Sequence, residues 1–173
     1  DYNKIVNRLA QSWDVSADGM AVTFKLRSGV KWHDGEPFTS ADVKYTMDLW
    51  PKPPPGTVGQ QLKTLVPLID RVETPDPLTV KVLLKHPSNG FILEMAVGNI
   101  GTMAPKHILE KQENKMKNTV VGTGPYKFKN YQRGVIYEAV KNPDYFLPGR
   151  PYLAGLKFLI IRDRATQVAA FRT

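Results

Sequence analysis

Apolar and polar positions alternate with a period of two over the first part of the chain. In "AVTFKLR", Val22, Phe24 and Leu26 fall on one side and Thr23, Lys25 and Arg27 on the other, the pattern of a strand with one buried face. Leu9 to Val15 reads as the strand before it, and Asp18-Gly19 predicts a tight turn joining the two into a hairpin. The period then lengthens. Val43, Met47 and Trp50 recur at helical spacing. Thr39 stands where an N-cap belongs, with the acidic Asp42 three residues on, a relative of the capping box. "PKPPPG" (Pro51 to Gly56) stops that helix, because proline removes backbone donors and clashes with the preceding turn.

Further along, Val66 to Leu84 predicts a strand pair. Thr74-Pro75-Asp76-Pro77 is expected as its turn, with Leu78, Val80, Val82 and Leu84 lining one face. Gly90 to Val97 predicts a short buried helix through Phe91, Ile92 and Met95, and a second helix begins near Pro105. Strand pattern resumes at Tyr126 and Phe128, then at Val135–Val140 and Leu156–Ile161. A Pro- and Gly-rich connection runs from Asn142 to Pro151. From Arg164 to Thr173, Ala165, Val168, Ala169 and Phe171 return to helical spacing without a C-cap glycine, which predicts a helix that continues further. There is no internal repeat.

Composition narrows the class. A length of 173 residues with 42% hydrophobic content suits one ordinary globular domain. The absence of cysteine excludes a disulfide framework and a thiolate zinc site. The longest uncharged run, Met95 to Pro105, is too short to span a bilayer, and Asp1-Tyr2-Asn3-Lys4 is not the start of a signal peptide. The net charge of +8 raises the question of nucleic acid. Its lysines and arginines are scattered, however, and several occupy the polar side of a strand, so a solvated face explains them and no nucleic-acid partner is expected.

Three stretches invite a chemical reading. Asp14, Ser16, Asp18 and Gly19 fall on the first positions of a calcium loop, but the twelfth position, where a bidentate glutamate belongs, is Lys25. "GTGP" at Gly122 to Pro125 has phosphate-loop glycines yet continues into Tyr126-Lys127-Phe128, a strand, instead of a Gly-Lys-Ser/Thr helix start. Gly122 and Gly124 are expected there because of crowding or a positive φ. The third is Trp32-His33-Asp34-Gly35. A hydrolase or metal-dependent enzyme using His33 and Asp34 is the alternative to be weighed, although no nucleophile elbow exists and the three histidines are far apart in sequence. The competing reading is a turn at Asp34-Gly35 that closes a strand and launches the helix at Thr39.

Taken together, "LAQSWDVSADGMAVTFKLRSGVKWHDGEPFTSADV", "PKHI", "GTGPYKF", "NPDYF" and "GRPYL" resemble, in this order, the dipeptide/oligopeptide/nickel type (family 5) of extracellular solute-binding protein of bacterial ABC transporters. The resemblance spans Leu9 to Phe171. It implies an α/β fold of the periplasmic-binding-protein-like class II type, here a partial first lobe with a mixed or antiparallel sheet and flanking helices. Residues 1–119 would be the small subdomain of that lobe and residues 120–173 the start of its larger sheet, cut before the second lobe. The implied function is the substrate-binding component of an ABC importer, which captures peptides or a related small solute and delivers it to a permease in the inner or plasma membrane. No catalysis, cofactor or metal is implied. The implied location is the periplasm or, lipid-anchored, the outer face of the plasma membrane. The Trp32–Gly35 stretch would be a structural signature between strand and helix. Lys52–Gln61 and Asn99–Met103 are the segments expected to face the cleft, with Gln60, Asn99 and Met103 as candidate ligand contacts.

Overall fold

The computed structural model describes residues 5–51, 62–96, 100–111 and 120–171. The chain divides into two compact units, one from Asp1–Val30 and Pro37–Lys115, the other from Lys31–Glu36 and Met116–Thr173.

The first unit is built on a four-stranded antiparallel sheet. Strands β1 (Ala10–Val15), β2 (Ala21–Leu26), β3 (Ile69–Asp76) and β4 (Thr79–Leu84) lie in the order β1-β2-β4-β3. Trp13 pairs with Phe24 and Phe24 with Val80, while Val22 pairs with Val15 and Val82. Partners directly across a ladder share a face, so these side chains form one apolar surface, and Val22, Val72, Val80 and Val82 on it are buried. The opposite face carries Thr23, Lys25, Thr79 and Lys81, with the Lys25 ammonium donating to Thr79 Oγ1 at 2.8 Å. The hairpin turn is held locally. Ser16 Oγ and the Met20 N–H both donate to Asp18 Oδ1, at 2.6 and 3.0 Å. Gly19 takes a φ of +69°, which favours glycine. Asp18 therefore serves the turn as acceptor.

Helix α1 (Ser40–Leu49) packs against β3 and β4 and buries Val43 and Met47, with Trp50 buried at its C-cap. Two expectations need correction. The β3–β4 turn lies at Pro77-Leu78 and not across Thr74–Pro77, because Asp76 Oδ1 accepts the Leu78 N–H at 2.8 Å and closes the chain one step later. Leu78 is consequently exposed at the corner while Thr79 is buried. Pro75 is tolerated within β3 because β3 is an edge strand and its register shifts between Glu73 and Asp76. Val66 opens no strand: Leu62–Leu65 is a short helix, α2, followed by a 3₁₀ turn over Val66–Leu68. Helices α3 (Phe91–Ala96) and α4 (Lys106–Leu109) complete the unit.

In the second unit β5 (Tyr126–Gln132), β6 (Ile136–Lys141) and β7 (Gly155–Leu159) form an antiparallel sheet in sequence order, followed by α5 (Arg164–Ala170). Both sheets are antiparallel throughout their described ladders. The α5 start is capped by Asp163, whose carboxylate accepts from the Thr166 N–H and Oγ1, both at 2.7 Å.

Candidate functional site

The Trp32–Gly35 cluster resolves into a backbone joint inside the second unit. Its own loop is closed by the Trp32 N–H donating to Glu36 C=O at 2.8 Å and the Gly35 N–H to Trp32 C=O at 2.9 Å. Gly35 has a φ of +98°, a conformation that excludes most side chains. Trp32 is buried at 2% exposure. The His33 N–H donates to Gly122 C=O at 2.8 Å, and the Gly122 N–H donates back to His33 Nδ1 at 3.2 Å. A backbone N–H can only donate, so Nδ1 is the bare acceptor nitrogen and Nε2 carries the proton. Nε2 then donates to Gly124 C=O at 3.0 Å. The Lys127 ammonium adds a bond to His33 C=O at 2.9 Å. Buried Asn142 closes the arrangement, its Nδ2 sharing Gly124 C=O at 3.0 Å.

Both imidazole nitrogens are thus committed to backbone groups, and neither offers a lone pair to a nucleophile or a metal ion. The hydrolase reading of His33 and Asp34 has no support in this geometry. The glycine expectation is also corrected. Neither Gly122 nor Gly124 has a positive φ. A Cβ on Gly122 would meet His33 Cε1 at an ordinary 3.6 Å, and one on Gly124 would meet nothing within 4 Å. What that loop supplies is main-chain donors and acceptors, a demand that sequence pattern does not display.

The first unit holds a concave site. A cleft of about 780 Å³ lies over the apolar sheet face, lined by Trp13, Phe24 and Leu26 from the sheet, Met47 from α1, Ile92 and Met95 from α3, and Gly101–Met103. That volume is within the range of small-molecule sites. Asp42 and Thr46, both buried on α1, fix its rim. Asp42 Oδ2 accepts the Thr39 N–H at 2.9 Å, the acidic half of the expected capping box, while Oδ1 accepts the Lys106 N–H at 3.1 Å. Thr46 Oγ1 donates to Asp42 C=O at 2.8 Å and accepts the Ala104 N–H at 2.9 Å. Residues 104–106 are pinned to α1 in this way, which holds Met103 at the cleft. Of the three expected contacts, Met103 is placed there, whereas Gln60 and Asn99, with the whole of Lys52–Gln61, lie outside the described residues. Trp13, Phe24 and Met95 were legible only as core. Their period gives no sign that the surface they form stays partly open.

Comparison with known proteins decides the family. Residues 4–173 match the family model described as bacterial extracellular solute-binding proteins, family 5 middle. The chain belongs to the family 5 extracellular solute-binding proteins. A protein of Brucella ovis, provisionally named an ABC transporter peptide-binding protein, is 39% identical over 176 residues, covering 98% of this chain and 32% of the relative. The glutathione-binding protein GsiB of Escherichia coli K12 is 34% identical over 172 residues, with 98% and 32% coverage. Among solved structures, the periplasmic binding protein AgaA of A. tumefaciens R10, in complex with agropinic acid, superimposes with a TM-score of 0.84 at 34% identity, covering 95% of this chain and 32% of that one. The chain spans about a third of the length of the relatives it matches. The antiparallel sheets and flanking helices are those of a partial lobe in this family.

Proposed function

We propose that this chain is part of the substrate-binding component of an ABC importer, which captures a peptide or a related small solute and presents it to a permease in the inner or plasma membrane. The observation that carries this reading is the family match across residues 4–173. The relatives' names supply the ligand class, since they name peptides, glutathione and agropinic acid. The reading involves no chemical step and no cofactor. It places the protein in the periplasm or, lipid-anchored, on the outer face of the plasma membrane. Among the described residues no helix is long and apolar enough to cross a membrane.

Within this reading residues 1–119 are the small subdomain of the first lobe and residues 120–173 begin its larger sheet. Met103, Gln60 and Asn99 are the ligand contacts this reading proposes. The cleft beside Met103 is rich in methionine and aromatic groups. Such side chains repack around varied apolar substituents, which suits a receptor for solutes of mixed side chain. Titration calorimetry of the full-length polypeptide with short peptides, glutathione and agropinic acid tests the proposal. Saturable binding to at least one class, without consumption of the ligand, is expected. Silence toward all of them, or turnover of a peptide or ester, would overturn it.

A further inference from the structure

We propose that the His33 joint is a proton-sensitive latch, closed while the ring is neutral and opened when Nδ1 takes a proton. Three observations within the second unit carry this. The Gly122 N–H donates to His33 Nδ1 at 3.2 Å, Nε2 faces Gly124 C=O at 3.0 Å, and Asn142 Nδ2 shares that same carbonyl. The first contact requires an unprotonated Nδ1. A proton there sets one N–H against another, so the acceptor for Gly122 is lost outright while the Nε2 contact survives. The ring cannot answer by exchanging tautomers, because the alternative neutral form also protonates Nδ1 and leaves Nε2 with a lone pair facing a carbonyl oxygen.

Histidine is the side chain that ordinarily changes charge between about pH 5 and 8. Charged groups stand on the segments packed around the ring. Lys127 reaches from β5 to His33 C=O at 2.9 Å. Asp34, the next residue in the loop, accepts the Glu36 N–H through Oδ1 at 3.3 Å. Asp144, whose N–H is held by Asn142 Oδ1 at 3.1 Å, belongs to the segment that shares the Gly124 carbonyl. The latch holds Lys31–Glu36, whose flanking chain on both sides belongs to the first unit, within the second. Acidification therefore loosens one defined loop.

Hydrogen exchange of the intact protein, corrected for intrinsic rates and compared near pH 7.5 and near pH 5, tests this. The amides of His33 and Gly122 are expected to lose protection by about tenfold at the lower pH, the scale of one lost hydrogen bond. A His33→Gln variant, whose amide offers one donor and one acceptor but does not titrate in this range, should show no such step. Equal protection at both pH values, or the same step in His33→Gln, would overturn the proposal. Ring-¹⁵N-histidine NMR of the unmodified protein provides a reading that does not depend on the variant folding. A proton on Nε2 at neutral pH is expected, and a proton on Nδ1 would overturn the latch.

Discussion

The two units bury their apolar residues very differently. In the first, the centre of one sheet face is closed to solvent, with Val22, Val80 and Val82, and with them Leu65 and Phe91 from the helices, all at or below 1% exposure. In the second, the buried residues among those described are Trp32, Ala139, Asn142 and Pro151. Its sheet nevertheless has an apolar face. Phe128 opposes Ala139, Tyr131 opposes Tyr137 and Phe158 opposes Tyr137, with the Tyr137 ring 6.0 Å from both Phe128 and Phe158. Tyr131 and Phe158 on that face are more than half exposed. A three-stranded sheet needs a packed face to be stable. The difference teaches that the first unit carries its own hydrophobic stabilisation within these residues. The second is held largely by ladders and by the polar joint at His33.

Truncations should separate the units most strongly. Phe91→Ala, at full burial, is expected to destabilise by about 3–5 kcal/mol, and Phe158→Ala in the isolated 173-residue chain by about 1 kcal/mol or less. Urea unfolding of the chain with each change gives the two values, and similar costs would erase the contrast. Sedimentation of the same chain should show concentration-dependent self-association through the uncovered aromatic face, and a monomer at every concentration would argue against that face being adhesive. Next in size comes Asp42→Ala. It strips acceptors from the Thr39 and Lys106 N–H groups in one step, and about 1–3 kcal/mol is expected from unfolding midpoints. A smaller contrast lies between glycines: Gly35→Ala, at φ +98°, should cost about 1 kcal/mol or more, and Gly124→Ala, at ordinary φ with open space, within about 0.5 kcal/mol. Thermal melting of the pair would reveal a reversal.

The smallest expected effect is at acid pH. Hydrogen bonds from Ser16, Thr79 and Thr166, each with backbone help, hold the carboxyls of Asp18, Asp76 and Asp163 below the ordinary carboxylate range. A lowered folded-state value means that these turns add stability above the unfolded-state value and lose it as pH falls through the folded one. Asp18→Asn and Asp76→Asn should flatten the acid limb of a stability–pH curve measured on the first unit's signals. An unchanged limb would show that the turns do not contribute.

Much of this fold was legible because it rests on local period and local polar chemistry. Val22, Phe24 and Leu26 in β2, Val43 and Met47 in α1, and the Thr39–Asp42 start all announce themselves within a few residues. What remained hidden depends on contacts across long separations. No pattern near Val66 separates a 3₁₀ turn from a strand, and Asp76 moves the β3–β4 turn by one side-chain bond. The candidate site divides in the same way. Met103 was placed by resemblance, yet its position follows from Thr46 and Asp42 reaching residues about sixty positions away. At His33 the sequence shows a histidine beside an aspartate, the pairing expected of a catalytic base. The structure instead turns the ring toward two glycines about ninety residues on.

That joint is where the account is most exposed. The direct measurement is ligand affinity and melting temperature together on the intact protein carrying His33→Ala. Removing two ring hydrogen bonds should lower stability by about 1–3 kcal/mol, while affinity per folded molecule stays within about twofold of the unmodified protein. An unchanged melting temperature with binding abolished would contradict the account and assign His33 a direct role in binding.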